Sequence, residues 1–208
     1  MRYLYIDTSS SFLYSAIIED NKVLSEVKEE YGQSLSEVAL PKIVEMFNKN
    51  NLSPKDVDKI IVVNGPGSFT GIRIGITIAK VYAWSLNIPI TTISSLEAMA
   101  LSSKKNTNHV PIINARRGYV FGAIYDKDLN TILKPQHIKL EDLMKAVKKC
   151  DKYEFISNDE FDEEIELESY NPDILKIVDQ FKDREKINPH SVNPEYLKKT
   201  AAEEQVNG

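Results

Sequence analysis

Two short stretches carry residue types that can hold the phosphates of a nucleotide. One is Asp7-Thr8-Ser9, a carboxylate and two hydroxyls that follow the apolar run Tyr3-Leu4-Tyr5-Ile6. The other is Asn64-Gly65-Pro66-Gly67-Ser68, which lies between the apolar run of residues 60–63 and a helix-like stretch reaching about residue 85. If the two face each other, Asp7 can hold Mg²⁺ through water, while Thr8, Ser9, Ser68 and the N–H groups around Gly65 and Gly67 cradle phosphate oxygens. A glycine-rich turn that opens a helix suits an anion, because orphan N–H groups and the helix dipole both favour negative charge there. The glycine spacing matches neither a Walker A loop nor the dinucleotide fingerprint. A plainer reading fits the same residues: Asp7 and Thr8 cap a β-turn, and the glycines let the chain round a tight strand-to-helix corner.

Other chemistry finds little support. His109, His137 and His190 are the only histidines and stand far apart in the chain, so none forms a metal-ligand pair at helical spacing, and no metal is expected. The single Cys150 leaves no partner for an intramolecular disulfide and has no activating neighbours. No Gly-x-Ser-x-Gly nucleophile elbow is present.

The elements that must position these residues follow from hydrophobic period. Residues 3–7, 12–19 and 22–30 read as three strands of an antiparallel meander, with a hairpin corner at Asp20-Asn21. Residues 34–48 change to helical period through Leu35, Val38, Ala39, Ile43, Met46 and Phe47. Ser34 and Glu37 have the form of a capping box, and Pro41 should kink that helix after its first turn. A buried strand at residues 60–63 and the long helix after the glycine turn complete the order β-β-β-α-β-α. In that second helix Gly71, Gly75, Ala79 and Ala83 recur every four residues on one stripe, where another backbone can come close. The rest of the helix is apolar nearly all round, which implies a central core helix or one with a second face for a partner protein.

A strand at 87–93 and a helix at 96–102 lead into the polar stretch of residues 102–108. A domain boundary is expected there, with an N-terminal lobe of residues 1–103 and a reduced C-terminal lobe of residues 104–208, whose last segment can return to the first. The second half reads as a weaker repeat of the first: strands at 109–114 and 119–125, a further short strand, a helix at 140–149, a strand at 153–156 and a helix at 173–181. Charge is uneven. Residues 151–168 hold nine acidic side chains against one basic, a local −8 within a total of −5, so the chain alone is a poor candidate for binding nucleic acid. No secretory leader and no apolar run of membrane length is legible, so a cytoplasmic location is expected.

Several of these blocks together resemble one family. Ile6-Asp7-Thr8-Ser9-Ser10, QSLSEVALPKI from Gln33, NGPGSFTGIRIG from Asn64, ISSLEA from Ile93 and NARRGYVFGAIY from Asn114 are similar to the bacterial TsaB (YeaZ) family of tRNA threonylcarbamoyladenosine biosynthesis proteins. The likeness runs in register through the first 125 residues, with an echo at residues 193–198. It implies an α/β fold of two lobes with ribonuclease-H-like mixed sheets, of the actin, sugar-kinase and heat-shock-protein ATPase type. It implies a non-catalytic scaffold that pairs with a catalytic TsaD-like paralogue, with a TsaE-like ATPase subunit, for N6-threonylcarbamoylation of adenosine 37 in tRNAs reading codons that begin with A. The catalytic relatives carry paired histidines where this chain has Ser94-Ser95-Leu96-Glu97-Ala98. Asn114, Tyr119 and Gln33 also depart from the usual family residues.

The expectations are then specific. No cofactor belongs to the isolated chain, ATP or ADP enters at the interface of the assembled complex, and tRNA is met only through that complex. The partner surface is expected on the two helices through Leu35, Val38, Ala39, Ile43, Gly71, Gly75, Ile78, Ala79, Tyr82 and Ala83, and a homodimer is expected through it when the chain is alone. The alternative is an enzyme in its own right, ATPase- or kinase-like through Asp7 and the glycine turn, or metallopeptidase-like.

Overall fold

The computed structural model describes residues 1–198. The chain packs as two units, one of Met1–Ala98 with Pro172–Pro194, the other of Met99–Asn171 with residues 195–198 of those described.

In the first unit, β1 (Arg2–Asp7), β2 (Phe12–Glu19) and β3 (Lys22–Glu30) form the meander. The β2–β3 corner turns through Asp20 and Asn21 at φ 47° and 63°, the left-handed pair that a tight hairpin needs. Next come α1 (Leu35–Lys49), β4 (Lys59–Val63), α2 (Phe69–Leu86), β5 (Ile90–Ile93) and α3 (Ser95–Ser102), the last crossing into the second unit. The sheet order is β3-β2-β1-β4-β5, with β4 and β5 parallel to β1 and β2 antiparallel to it. β1 and β4 are buried on both faces, as their unbroken apolar runs require. One face packs Leu4, Ile6, Ile60 and Val62 against Ala39, Ile43 and Phe47 of α1 and Ile72, Ile76 and Ala79 of α2.

The second unit repeats this plan. β6 (Asn108–Asn114), β7 (Tyr119–Tyr125) and β8 (Thr131–Lys139) form a second meander, then α4 (Leu140–Val147), β9 (Tyr153–Ile156) and β10 (Leu167–Glu168) follow. The order β8-β7-β6-β9-β10, with β9 parallel to β6 and β10 parallel to β9, is the first sheet's order with the same strand directions. Two sheets of this topology with their covering helices make the two-lobe, ribonuclease-H-like α/β fold that the family resemblance implies. The copy is reduced at one place. Where the first unit crosses from β4 to β5 through α2, the second crosses from β9 to β10 by the acidic residues 157–166, without a helix.

The chain then returns to the first unit. α5 (Ile174–Phe181), capped by the Asp173 carboxylate on the Lys176 N–H at 3.1 Å, buries Ile174, Ile177, Val178 and Phe181. Residues beyond it run along the edge of β5, where the Ile187 N–H donates to Ile90 O at 2.8 Å. Val192 ends in the core of the first unit.

Some local expectations change. Ser34 does not cap α1: it lies at helical φ and ψ at the end of a 3₁₀ turn, Gly32–Ser34, and its hydroxyl donates to Tyr31 O at 2.8 Å. The turn flows directly into the helix, which leaves no extended residue to act as cap. Pro41 lies inside α1, which continues to Lys49. The strand after Asn130 is nine residues long, not short. Among the described residues no helix is long and apolar enough to cross a membrane.

Candidate functional site

The carboxyl ends of β1, β4 and β5 meet at one edge of the first sheet, and the loops that leave them are bonded to one another. Asp7 ends β1. Its Oδ1 accepts from the Ser9 N–H at 2.8 Å and the Ser9 hydroxyl at 2.7 Å, and the Tyr5 hydroxyl donates to Oδ2 at 3.4 Å. Burial raises its pKa above the usual carboxylate value, while the Ser9 and Tyr5 hydrogen bonds oppose the shift. The Asp7 carboxylate is therefore turned back into its own strand end, as an Asx-type turn.

Thr8 and Ser9 are joined to the glycine loop without a gap. Ser9 O accepts from the Ser68 N–H at 2.7 Å. A Cβ on Gly67 would lie 2.2 Å from Ser9 O, and one on Gly71 would lie 2.1 Å from Thr8 O. These glycines are where they are because backbone meets backbone. Ser68 caps α2, accepting from the Gly71 N–H at 3.2 Å. From the third loop, the Ser95 N–H donates to Gly65 O at 2.9 Å and the Ser95 hydroxyl to Pro66 O at 2.5 Å.

The residues proposed as a phosphate cradle, Asp7, Thr8, Ser9, Gly65, Gly67 and Ser68, lie at the same sheet edge, where the loops bond to one another. The Ser68 and Ser9 N–H groups and the Ser9 hydroxyl are spent on partners inside the cluster. The role of Ser95 was missed, since Ser94-Ser95 reads in sequence only as a helix start. Among the described residues, no three His, Cys, Asp or Glu side chains gather in a way that could hold a metal ion.

The two helices expected to carry a partner surface lie side by side, with Phe47 of α1 edge-to-face on Tyr82 of α2 at 6.5 Å between ring centroids. Their small-residue seam is not on the outside. Leu35, Ala39, Ile43, Gly71, Gly75, Ala79 and Ala83 are buried in the unit's own core, and Val38, Ile78 and Tyr82 are only part-exposed. The physical reason is that the close approach the seam allows is used by the sheet and by Thr8. The outward face holds Leu40 and Val44 of α1 and Phe69, Val81 and Trp84 of α2, with Val81 54% and Trp84 66% exposed. The Arg73 guanidinium covers the Phe69 ring at 3.7 Å, and Trp84 meets the His190 ring at 5.7 Å. The sequence signal for this face was the all-round apolar character of α2. Separating its outer half from its inner half needed the position of the sheet.

Comparison with known proteins gives the family and the fold. The family model for tRNA N6-adenosine threonylcarbamoyltransferase (TsaD) matches residues 22–171. The tRNA threonylcarbamoyladenosine biosynthesis protein TsaB of Bacillus subtilis is 32% identical, covering 98% of this chain and 96% of that protein. The protein of the same name from Escherichia coli is 34% identical over 64% of this chain and 58% of its own length. Among solved structures, a Pseudomonas aeruginosa protein described as similar to peptidase YeaZ superposes with a TM-score of 0.80 at 18% identity, covering 95% of this chain and 99% of that one. YeaZ from the same organism gives 0.76 at 21% identity, covering 94% and 99%. At these identities the solved structures speak for the fold.

Proposed function

The chain belongs to the TsaB family of tRNA threonylcarbamoyladenosine biosynthesis proteins, and we propose that it serves that modification as a non-catalytic subunit, through the outer face of α1 and α2. The role in threonylcarbamoyladenosine biosynthesis comes with the family; the division of labour is our reading. The observation that carries it is that five large apolar side chains, Leu40, Val44, Phe69, Val81 and Trp84, are exposed on two helices that pack side by side. Single exposed apolar residues are ordinary, but five on one helix pair mark a surface that gains by being covered. The partner is a catalytic TsaD-like paralogue, which shares the topology and can offer an equivalent helix pair. A TsaE-like ATPase joins the pair, ATP or ADP enters with the complex, and tRNA is met there. Alone, the chain covers the same strip with a second copy.

The closed loop cluster supports the non-catalytic side of this reading. Asp7 Oδ1, the Ser9 N–H and hydroxyl and the Ser68 N–H are engaged with one another's loops, so these groups serve the corner itself. The test is co-purification of the full chain with its paralogue, compared with Val81→Arg and Trp84→Glu. Both positions are exposed, so melting should stay within about 0.5 kcal/mol of wild type. Pairing and tRNA modification should be lost. Retained pairing in both variants would move the interface elsewhere. Turnover of Mg-ATP by the purified chain alone would favour an enzyme in its own right.

A further inference from the structure

We infer that the turn of residues 115–118 is an RNA contact, in which Arg116 and Arg117 bind backbone phosphates and the neighbouring Tyr119–His137 pair gives an unpaired base a surface to stack on. This rests on the reading that the chain serves tRNA modification, and it names where the RNA touches this subunit.

The backbone of the turn is the first observation. Arg116, Arg117 and Gly118 follow one another at φ 66°, 56° and 73°. Tight turns of this hand are ordinarily made with Asn and Gly, because a Cβ is strained there. Two consecutive arginines carry that strain here, and strain of this kind persists only where the surroundings over-determine the conformation. They do. The Ala115 N–H donates to Tyr119 O at 2.9 Å, the Tyr119 N–H to Arg116 O at 3.1 Å and the Leu140 N–H to Gly118 O at 2.9 Å. The Arg116 N–H donates to Asn114 Oδ1 at 2.8 Å. Asn114 is itself tied down, its N–H to Asp159 Oδ2 at 2.7 Å and its Nδ2 to Glu160 O at 2.6 Å. The sequence keeps a costly residue pair on a rigid support.

The side chains are the second observation. Both arginines are exposed, and neither guanidinium has an ion-pair or hydrogen-bond partner among the described residues. Lys139, exposed and paired with Tyr119 across the β7–β8 ladder, adds a third cation. The acids around the turn are Asp159 and Glu160 beneath Asn114, and Glu141 and Asp142 at the start of α4. Asp159 accepts from the Asn114 N–H, and Asp142 holds Lys145 at 2.8 Å. These carboxylates oppose broad capture of polyanions and confine phosphate contact to the projecting arginines.

The third observation selects RNA over an acidic peptide. Directly after the turn, Tyr119 and His137 stack with ring centroids 4.6 Å apart and planes 8° from parallel, and Phe121 leans on the same imidazole at 5.5 Å. All three rings are part-exposed on one face of β7 and β8. Cations beside an aromatic platform are the equipment for single-stranded nucleic acid: charge for the backbone and a π-face for a splayed base.

The test replaces the arginines with the residues that the turn prefers, Arg116→Asn with Arg117→Gly. Binding of an unmodified tRNA transcript to the full chain, alone and assembled with the catalytic paralogue, is read by fluorescence anisotropy across a salt series. The variant should bind about tenfold more weakly, and its log K against log salt slope should be shallower by roughly 1.4–1.8, as for two lost phosphate contacts. Its melting temperature should be equal or higher, since the strain is relieved; a merely structural role for the arginines would not pair better stability with worse binding. In the assembly with the catalytic paralogue, KM for tRNA should rise while kcat and pairing persist. Unchanged affinity and salt slope would overturn the contact, and so would loss of pairing, which would make the turn a protein interface. Failure of the wild-type assembly to modify tRNA would count against the scaffold reading instead, and the anisotropy comparison would still decide the contact.

Discussion

The Thr8 hydroxyl is bonded to both ends of one turn of α2: it donates to Gly71 O at 2.7 Å and accepts from the Gly75 N–H at 3.0 Å. Those two groups stand four residues apart, the spacing at which a helix bonds to itself, so the end of β1 is stitched into the helix's own ladder. The absence of a side chain at Gly75 is what lets Thr8 reach it. A Cβ there would lie 2.4 Å from Thr8 Oγ1.

Gly→Ala changes in a helix usually stabilise by up to about 1 kcal/mol. Here they should do the reverse. Gly75→Ala is expected to cost about 1–3 kcal/mol by overpacking, and Gly71→Ala more, because its obstacle is the Thr8 carbonyl rather than a side chain. Thr8→Ala removes the obstacle at Gly75 only. In urea melts, the double variant with Gly75→Ala should therefore recover part of the loss, while the double variant with Gly71→Ala should not. A raised midpoint in either single glycine variant would mean that the helix does not press on Thr8.

Asp7 gives a pH dependence whose sign follows from burial. Its carboxyl is held above the ordinary carboxylate pKa, so between its unfolded and folded values the native state binds more protons than the unfolded chain. Its contribution then falls as pH rises through that window, and the charge is carried at a cost at neutral pH. Asp7→Asn keeps an acceptor for Ser9 without the charge. It should be at least as stable as wild type at pH 7, with the advantage shrinking as pH falls toward 4. A variant clearly less stable at pH 7 would show that the Ser9 and Tyr5 hydrogen bonds outweigh the burial.

How far the molecule was legible in its sequence depends on what each signal encodes. Period 2 and period 3.6 give element type directly, so the first meander, α2 and β9 could be read off the chain. The glycine stripe in α2 was also read, yet spacing says only that something comes close, not what. Spacing alone suggests a partner protein, whereas the close neighbours of Gly71 and Gly75 are Thr8 and Ile6 of the same unit. Likewise residue types suggest a phosphate cradle, but types do not report that the Ser68 N–H reaches across to Ser9 O. The Arg116-Arg117 turn reads in sequence only as the gap between strands 109–114 and 119–125, because a left-handed φ at arginine leaves no trace in composition.

The sequence suggests that the last segment returns to the first lobe but not its path along the edge of β5 through residues 182–192, since nothing local in Lys59 announces a partner more than a hundred positions away. Lys59 lies in β4 with its residue nearly buried, and its Nζ donates to Lys182 O and Arg184 O, each at 2.6 Å. Burial lowers its pKa, opposed by Asp183, so the ammonium is held against its desolvation by the two carbonyls and that charge. Thr91 adds its hydroxyl to Glu185 O at 3.1 Å, and the Ile187 N–H then reaches Ile90 O. Lys59→Met keeps the aliphatic stem and removes the donor. Both carbonyls belong to residues open enough to be hydrated once released, so global stability should change by only about 1 kcal/mol. The local effect should be larger: exchange of the Ile187 amide, which reports docking of the return, should speed by about tenfold or more. If that amide exchanges at the wild-type rate while the variant is otherwise folded, Lys59 does not hold the return, and the edge of β5 is kept closed by Ile187 and Val192 packing into the core.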